Sequence, residues 1–479
     1  MARAYGKYLR RLLLTPLLLL VVVYAILAGF LWWSERSIAG NLSDHPSVYV
    51  RSTDLHTLTL LDTGVESLEA RLRLIDEAKE TIELESFIYE LDEASQMLTQ
   101  RLVDAANRGV KVRVLVDFAG PVFKLQPQYA QRLARHNIQV RYYNTTHTVR
   151  FVSVQHRSHR KLLIIDQKQV ITGGRNIGND YFNLSTSYSF LDSDILIRGP
   201  IAAAVRTSFD TYWESSLASS PKAVPDDHEI TVLDSFFSPS VKLKNFEQKL
   251  NEAMDRIRPQ RMEYECRDLT FATDHPGVLM NNRQVYYRLA EILKEAKHSV
   301  VAESPYFILR TDGLELLESI SQRGIKPVLL TNGLKATDAY YTVSATALVL
   351  DEVAQTKAEI YVYNGEPPAQ PNHLAQPIPT RWGLHAKRAV IDQRHTLIGT
   401  YNIDPRSANL NSEVMIVCRD NPELAKAMLA NMQQRRKNSH LLFSNESSAL
   451  SALIQNAPTS EIIKFFAAMP LAYIFDFLL

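Results

Sequence analysis

The chain has 479 residues, of which 46% are hydrophobic and 22% are charged, and its formal net charge is +1. This composition is ordinary for a folded protein with room for two domains. The nearly neutral charge argues against a protein that coats nucleic acid, which usually carries a basic excess. The two cysteines, Cys266 and Cys418, predict neither a disulfide framework nor a zinc site, so we expect two small buried hydrophobic side chains.

The N-terminal region predicts a membrane anchor. Residues 12–33 form an apolar run without a charge, and as a helix this run would span about 33 Å, the thickness of a bilayer core. Arg3, Lys7, Arg10 and Arg11 precede it. The positive-inside rule therefore predicts a single-pass protein of the cell (inner) membrane, with a cytoplasmic N-terminus and the catalytic part on the non-cytoplasmic face. A cleaved signal peptide is the alternative, although the run is long for one.

Helical and strand patterns alternate along the rest of the chain. In the first half the predicted elements are helix 67–80, strand 81–91, helix 93–110, strand 111–118, helix 129–137 and strand 138–144. The second half repeats this order with helix 284–298, strand 299–307, helix 312–325, strand 326–333, helix 341–357 and strand 358–364. The duplication predicts an α/β fold of two tandem βα repeats, with mainly parallel sheets covered by helices.

These patterns divide the chain into seven predicted segments. They are a cytoplasmic N-terminus (1–11), a transmembrane anchor (12–33), a linker (34–55), repeat 1 (56–215), an inter-lobe connection (216–240), repeat 2 (241–458) and an apolar C-terminal tail (459–479). Lys464, Pro470 and Asp476 interrupt the tail, so it does not predict a membrane span. It predicts either an interfacial anchor or a helix that packs on the core. The proline-rich stretch 364–382 predicts an exposed loop that borders a site.

A polar motif occurs twice at one spacing. Its residues are His159, Lys161 and Asp166 in the first copy and His385, Lys387 and Asp392 in the second, 226 residues later. On a strand, residues two apart share a face, which predicts that each histidine lies beside its lysine. The aspartate lies at an odd offset from the histidine, so we expect it to hold the following turn together. Asn176 and Asn402 keep the same offset and would bring a carboxamide to each copy.

Two such copies face to face would form an anion site with a nucleophile and an acid. Ammonium and carboxamide groups hold phosphoryl oxygens without a metal, while one histidine attacks phosphorus and the other protonates the leaving alkoxide. Each histidine needs a partner that fixes its tautomer. The candidates are Asp192 or Asp194 for one copy and Glu413 for the other.

These motifs resemble those of the phospholipase D superfamily, whose mark is a pair of H-x-K-x4-D motifs. The stretches "GGRNIGNDYF", "DSDILIRGP", "ESPYF" and "NIDPRSANLNSEV" are similar to the bacterial cardiolipin synthase branch, especially its C-type enzymes. The resemblance covers nearly the whole chain after residue 55. Where that superfamily often has serine after the first motif glycine, this chain has Gly174 and Thr400.

The resemblance implies a two-lobed catalytic unit and a phosphohistidine intermediate, with no cofactor and no metal. It assigns the nucleophile to His159, the general acid and base to His385, and the phosphate-holding groups to the motif lysines and to Asn176 and Asn402. It assigns the carboxylates that orient the histidines to Asp194 and Glu413.

The resemblance, the predicted anchor and the neutral charge together predict a membrane-anchored phosphatidyltransferase of the cardiolipin synthase type. Its partners would be phosphatidylglycerol, a second phospholipid and the membrane, with no nucleic acid and no obligate protein partner. Two alternatives use the same double centre. One is a phospholipase D that gives phosphatidic acid, and the other is an extracytoplasmic nuclease, which the lack of interleaved basic and aromatic runs disfavours.

Overall fold

A computed structural model describes most of the chain. The described residues are 14–16, 18–27, 49–118, 125–145, 153–222, 237, 241–257, 261–277, 284–368, 381–445 and 447–475. Within these ranges, no helix combines the length and the apolar character that crossing a bilayer requires. The predicted anchor over residues 12–33 falls partly outside the described residues and stays a prediction. The same holds for most of the inter-lobe connection and for residues 369–380 of the proline-rich loop.

Strands make up the centre of the molecule. In chain order they are β1 (Tyr49–Ser52), β2 (His56–Leu61), β3 (Thr81–Ser86), β4 (Lys111–Asp117), β5 (Ile138–Tyr143), β6 (Arg157–Ser158), β7 (Leu162–Ile165), β8 (Gln169–Gly173), β9 (Tyr188–Leu191), β10 (Asp194–Arg198), β11 (Ala218–Ser219), β12 (Tyr264–Cys266), β13 (Leu269–Thr273), β14 (Val300–Glu303), β15 (Val328–Asn332), β16 (Glu359–Tyr363), β17 (Arg381–Leu384), β18 (Arg388–Ile391), β19 (His395–Gly399), β20 (Asn411–Ser412), β21 (Val414–Cys418) and β22 (Ser439–Leu441).

Helices cover the strands. From residue 49 onward they are α1 (Gly64–Glu77), α2 (Glu93–Asn107), α3 (Pro127–Arg135), α4 (Ile201–Trp213), α5 (Val241–Ile257), α6 (Gln284–Lys294), α7 (Thr311–Gln322), α8 (Tyr340–Ala347), α9 (Leu350–Gln355), α10 (Pro405–Asn409), α11 (Pro422–Lys437), α12 (Ala449–Ile454) and α13 (Thr459–Phe475). Several begin at side-chain caps, such as Thr63 and Asp92, whose oxygens accept the backbone N–H groups that the first helical turn leaves unpaired.

The strands form two nine-stranded sheets, one for each repeat. The first has the order β11-β5-β4-β3-β7-β8-β10-β2-β12, and the second has the order β1-β13-β21-β19-β18-β14-β15-β16-β22. Neighbours are parallel from β3 to β5 and from β14 to β16, where helices connect the strands. The other neighbours are antiparallel. The predicted α/β fold with two repeats is therefore confirmed, whereas the expectation of mainly parallel sheets is wrong because the sheets are mixed.

The two repeats exchange edge strands. β1, in the predicted linker, pairs with β13 at the edge of the second sheet. β12, in the predicted second repeat, pairs with β2 at the edge of the first. Helix α5 likewise contributes Leu243, Leu250 and Met254 to the core of the first repeat. The two structural units therefore do not follow the predicted repeat boundaries. A strand before repeat 1 completes the second sheet, and a strand and a helix from predicted repeat 2 complete the first unit.

The two cysteines join the sheets covalently. Cys266 at the end of β12 and Cys418 at the end of β21 form a disulfide, 152 residues apart in sequence. The prediction of two separate buried thiols is wrong, because strand pairing brings together residues that sequence distance separates. One shared core connects the same two sheets, with Leu58 and Ile164 from the first and Ile398 and Ile416 from the second.

Two helical predictions change in detail. The predicted helix 341–357 is two helices, α8 and α9, with a break at Leu348 and Val349. The Thr346 hydroxyl there donates to the Phe307 carbonyl, and the β-branched residues in this stretch have only modest helix propensity. The C-terminal tail forms α13, which packs on α8 and buries Phe465. The Ser344 hydroxyl of α8 donates a hydrogen bond to the Phe465 carbonyl of α13 and so holds the two helices together.

Candidate active site

Two short parallel strand pairs carry the motif histidines across the boundary between the repeats. β6 pairs with β20, and β9 pairs with β17, so each pair joins one strand from each repeat. His159 follows β6 and His385 follows β17, while Glu413 follows β20 and Asp192 follows β9. Each histidine is therefore delivered beside the carboxylate of the other repeat. The sequence predicted that each histidine lies within a strand. In the structure each one instead follows the end of a short strand.

Backbone hydrogen bonds hold this crossed arrangement in place. The N–H of His159 donates to the Ser412 carbonyl at 3.0 Å, and the N–H of His385 donates to the Leu191 carbonyl at 2.8 Å. The two ends of the site thus repeat the same local geometry. Because each contact joins the two repeats, neither repeat can form a complete histidine–carboxylate pair alone.

The carboxylates fix the histidine tautomers. Nδ1 of His159 lies 3.0 Å from Glu413 Oε2, and Nδ1 of His385 lies 2.6 Å from Asp192 Oδ2. In a neutral imidazole, Nδ1 must then carry the proton and donate it to the carboxylate. The lone pair lies on Nε2, which is the nitrogen that can attack phosphorus or accept a proton.

Asp194 does not contact a histidine, and its predicted orienting role is wrong. The chain turns between β9 and β10, so Asp194 begins β10 with its carboxylate directed at α1. There it accepts a hydrogen bond from Ser67 at 2.5 Å and pairs with Arg71 at 3.0 Å and with Arg175 at 3.4 Å. Asp192, the other sequence candidate, occupies the position that matches Glu413.

The motif aspartates lie apart from the histidines, as their odd offset predicts. Asp166 accepts the backbone N–H groups of Lys79, Glu80 and Thr81, and it adopts a left-handed conformation with φ 51°. Asp392 does the same for residues 297–299 with φ 52°. These hydrogen bonds hold the loop before β3 and β14 and lower the pKa of both carboxyls despite partial burial. The H-x-K-x4-D motif groups Asp166 and Asp392 with the catalytic histidines and lysines, and that assignment is wrong because both carboxylates accept loop N–H groups.

Both motif lysines are buried at the site. Lys161 donates to the carbonyl of His159 at 2.6 Å, and Lys387 donates to the carbonyl of His385 at 2.5 Å. Burial first, and then the neighbouring Lys387 ammonium, lower the pKa of Lys161 to about 7. Burial also lowers the pKa of Lys387 to about 8, against the attraction of Asp192 and Glu413. The two cations therefore lie close together without full compensation, which favours an anion between them.

Burial also keeps both histidines neutral. It lowers the pKa of His159 to about 4 and that of His385 to about 3, outweighing the attraction of their carboxylates. Burial alone would raise the pKa of Asp192 and Glu413, but the histidine and lysine partners outweigh it and lower both. At neutral pH each pair is thus an imidazole that donates to a carboxylate.

The two motif asparagines lie in matching positions with different contacts. Asn176 Oδ1 accepts the N–H of Ile88 at 3.2 Å, which fixes its carboxamide. Asn402 is buried, and its Oδ1 has no hydrogen-bond partner among the described residues. A buried carboxamide with spare hydrogen-bonding capacity is suited to contact a polar ligand.

Gly174 replaces the serine that is common in the superfamily, and the structure gives a steric reason for this. A Cβ atom at this position would lie 2.1 Å from Asp192 Oδ1, so no side chain fits there. At the matching position of the other repeat, the Thr400 hydroxyl donates to Glu413. The backbone N–H of Ser193 donates to Asp192 instead, at 2.7 Å. Each carboxylate thus receives a second hydrogen bond, from a side chain in one case and from the backbone in the other.

Sequence reasoning missed a second polar group beside the site. Tyr306 donates to the Asp338 carboxylate at 3.1 Å, and Lys387 and Asp338 attract each other. Burial of Asp338 raises its pKa. Tyr306 lies within the "ESPYF" stretch quoted above, but no spacing links it to Asp338, so their contact was not predicted. Across the described part of the chain, no three His, Cys, Asp or Glu side chains group as metal ligands would.

Fold and site together define an enzyme of the phospholipase D superfamily, in its phosphatidyltransferase and phosphodiesterase class. The family model described as "Cardiolipin synthase, PLD-like domain" matches residues 72–213 and 289–436, which is more than half of the chain. The chain belongs to this family.

Individual relatives agree with this assignment. An uncharacterized protein of Helicobacter pylori is 31% identical over 408 residues, which cover 80% of each chain. Cardiolipin synthase C of Escherichia coli (strain K12) is 26% identical over 391 residues, covering 74% of this chain and 80% of the relative. The crystal structure of a phosphatidylserine synthase from Haemophilus influenzae shares the fold with a TM-score of 0.62 at 14% identity, covering 89% of this chain and 98% of that one.

Proposed function

We propose that the protein is a membrane-anchored phosphatidyltransferase that makes a cardiolipin-like product from phosphatidylglycerol and a second phospholipid. The crossed histidine–carboxylate pairs are the observation that supports this proposal most strongly. They present two Nε2 atoms, one from each repeat, in a buried site with two ammonium groups. This is the equipment that a two-step displacement at a phosphodiester requires.

The first step forms a bond between phosphorus and Nε2 of His159. As the phosphorus–oxygen bond to the leaving alcohol breaks, His385 gives that oxygen a proton from its own Nε2. Lys161, Lys387, Asn176 and Asn402 hold the non-bridging oxygens. The negative phosphodiester beside His385 raises the pKa of that imidazole toward the range in which it carries the proton.

The second step reverses the roles. The acceptor hydroxyl loses its proton to Nε2 of His385 and attacks phosphorus, and the phosphorus–nitrogen bond to His159 breaks. The product is a new phosphodiester, and both histidines return to their starting states. Glu413 and Asp192 keep each proton on the correct nitrogen and stabilise the imidazolium that forms.

The disulfide supports a catalytic part on the non-cytoplasmic face. Disulfides persist in oxidising compartments and are rare in the cytosol of mesophiles. Cys266 and Cys418 are both buried, and their bond joins the two sheets. The predicted anchor over residues 12–33, with its cytoplasmic N-terminus, is consistent with this side of the membrane.

Lipid analysis of cells that express the protein tests the proposal, with His159→Ala as the inactive control. We expect cardiolipin to rise with the native chain and not with the variant. The purified protein in mixed micelles should transfer a phosphatidyl group to phosphatidylglycerol faster than to water. Phosphatidic acid as the sole product, even with excess phosphatidylglycerol, would instead assign the protein as a phospholipase D.

A further inference from the structure

A largely apolar cavity of about 310 Å³ adjoins the catalytic centre on one side. It lies in the second repeat, between the sheet and helices α6 and α7. Leu289, Leu293, Leu316 and Met415 are among its lining residues. Lys387, whose ammonium belongs to the catalytic centre, also lines it. The cavity therefore continues from the phosphate-holding lysine into apolar surroundings.

The matching positions of the first repeat carry different side chains. We matched positions of the two repeats in three ways. Some lie at equal distances in sequence from the loops that the motif aspartates hold, or from the glycines that follow α2 and α7. Others occupy equivalent positions in the strand pairing of the two sheets. The four pairs, with the first repeat named first, are Arg71 and Leu289, Asp194 and Met415, Arg175 and Tyr401, and Leu98 and Gly313.

The first repeat fills this space, and the second leaves it open. Arg71 and Arg175 form a buried ion network with Asp194, and Leu98 is fully buried. In the second repeat the network is replaced by apolar and aromatic groups, and Gly313 has no side chain where Leu98 packs. The hollow thus arises from substitutions at several matching positions, and not from one poorly packed residue.

We propose that this cavity holds one acyl chain of the phospholipid whose phosphate lies between the two histidines. This inference rests on the proposed function, and it adds that the protein recognises an acyl chain of its lipid substrate as well as the phosphate. Filling the cavity with methylene groups removes apolar surface from water and favours binding. The volume lies at the lower end of ligand pockets, which suits one chain rather than a whole lipid.

The position of Lys387 selects this occupant. In a phospholipid the acyl chains are attached to the glycerol carbons next to the phosphate ester. A phosphate held by Lys387 therefore places the start of a chain near the cavity. A headgroup would be poorly matched, since it would exchange water for the side chains of Leu289, Leu293 and Leu316.

The test compares short-chain phosphatidylglycerols with acyl chains of four to eight carbons, each below its micelle concentration. If a chain enters the cavity, kcat/KM of the native protein rises with chain length, by at most about fourfold for each methylene. Cleavage of the soluble diester bis(4-nitrophenyl) phosphate, which has no acyl chain, is measured in parallel.

Two variants narrow the cavity. Gly313→Leu introduces the side chain that the first repeat has at this position, and the added Cβ meets only the movable end of Leu309, at 2.7 Å. Leu289→Trp fills the cavity from α6. The matched control is Glu315→Leu, which adds a leucine to the exposed side of the same helix. We expect both cavity variants to lower kcat/KM for the eight-carbon lipid by tenfold or more, so that kcat/KM depends less on chain length. The control should keep the native dependence.

The outcomes separate the two proposals. A flat native profile with normal cleavage of the soluble diester would overturn the acyl-chain inference and leave the chemistry intact. Equal profiles for Gly313→Leu, Leu289→Trp and the control would overturn it as well. A native protein that cleaves neither the lipids nor the soluble diester would refute the proposed function, and the inference would fall with it.

Discussion

Glu413 follows the second motif in sequence but contacts the histidine of the first, with its Oε2 3.0 Å from Nδ1 of His159. Asp192 makes the reciprocal contact with His385. The two motif histidines and their carboxylates therefore form two pairs that each span both repeats. A change that shifts one repeat against the other disturbs both pairs at once.

Removing the charge of either carboxylate should lower activity strongly without unfolding the protein. For Glu413→Gln and Asp192→Asn we expect kcat to fall by about 10²–10⁴-fold, because an amide no longer fixes the histidine tautomer or stabilises the imidazolium. Single-turnover measurements with a soluble phosphodiester should show the first step slowed in Glu413→Gln, whose histidine is the proposed nucleophile.

Asp194→Asn is the matched control, because Asp194 lies two residues from Asp192 and contacts no histidine. We expect it to lower the melting temperature, since Arg71 and Arg175 lose their buried partner. The folded variant should retain most of the native kcat. An unchanged kcat in Asp192→Asn together with a large loss in Asp194→Asn would contradict the crossed arrangement.

The two histidines should behave as one unit. His159→Ala should abolish phosphoenzyme, whereas His385→Ala should slow release of the intermediate more than its formation when the leaving group is activated. Because both act in the same pathway, the double variant should be scarcely less active than either single variant. Trapping of the labelled intermediate with an alkaline denaturing quench measures this, because acid would cleave the phosphorus–nitrogen bond. Label on His385 of the native protein would reverse the roles.

The pH dependence of phosphate binding, measured as competitive inhibition by inorganic phosphate, should reflect the burial of the two motif lysines. The pKa of Lys161 is lowered to about 7 and that of Lys387 to about 8, so phosphate binding should weaken as pH rises through this range, well below the usual lysine range. On the acid side, His159 with a pKa of about 4 stays neutral and nucleophilic well below pH 6.5. An alkaline limb near pH 10 would contradict the burial of both lysines.

The same histidine shifts affect stability with a defined sign. His159 and His385 have folded-state pKa values below the ordinary value of 6.5, so the unfolded chain binds more protons between about pH 4 and 6.5. Their contribution to stability is full above pH 6.5 and is lost as pH falls through this window. Denaturant unfolding of the native protein and of His385→Ala at several pH values separates this contribution from other groups.

The repeated motif predicted the composition of the site because its chemistry depends on residue types at fixed spacing. His159, His385, Lys161 and Lys387 do meet at one buried site. The choice between Asp192 and Asp194 was not accessible from spacing, since it depends on where β9 ends and the chain turns. The crossing of the pairs was not accessible either, because it depends on strands of different repeats aligning in parallel.

The sheets and the disulfide illustrate a similar limit. Local periodicity identified β3–β5 and β14–β16 with the helices between them, but it does not report which neighbour a strand pairs with. β1 and β12 are short edge strands, and each pairs in the sheet of the other repeat. That exchange brings Cys266 of β12 to Cys418 of β21, which is why their bond was not predicted.

Reduction of the disulfide should destabilise the protein. Closing a loop between residues 152 apart is worth about 5 kcal/mol in the chain-entropy model. We expect a lower melting temperature for the Cys266→Ala, Cys418→Ala double variant and for the reduced native protein. Alkylation of the native, non-reduced protein should detect no free thiol, and two reactive thiols in protein secreted to an oxidising compartment would contradict the bond.

The exposed face of α13 should determine how the enzyme engages lipid surfaces. One face packs on α8 with Phe465 buried, whereas Ile463, Phe466 and Ile474 are exposed. The sequence left two alternatives for this tail, an interfacial anchor or a packed helix, and the packed face confirms the second. Interfacial anchoring stays a prediction, because an exposed apolar helix face partitions into the headgroup region of a bilayer.

Deletion of the tail is a poor test, since it would uncover the core around Phe465. We therefore expect the triple substitution of Ile463, Phe466 and Ile474 by serine to raise the KM for phosphatidylglycerol in mixed micelles at least tenfold, while cleavage of a soluble phosphodiester stays native. The matched control replaces three other exposed hydrophobic residues, Leu55, Leu91 and Met262, by serine. Equal micellar KM values for the two triple variants would show that α13 serves the fold alone.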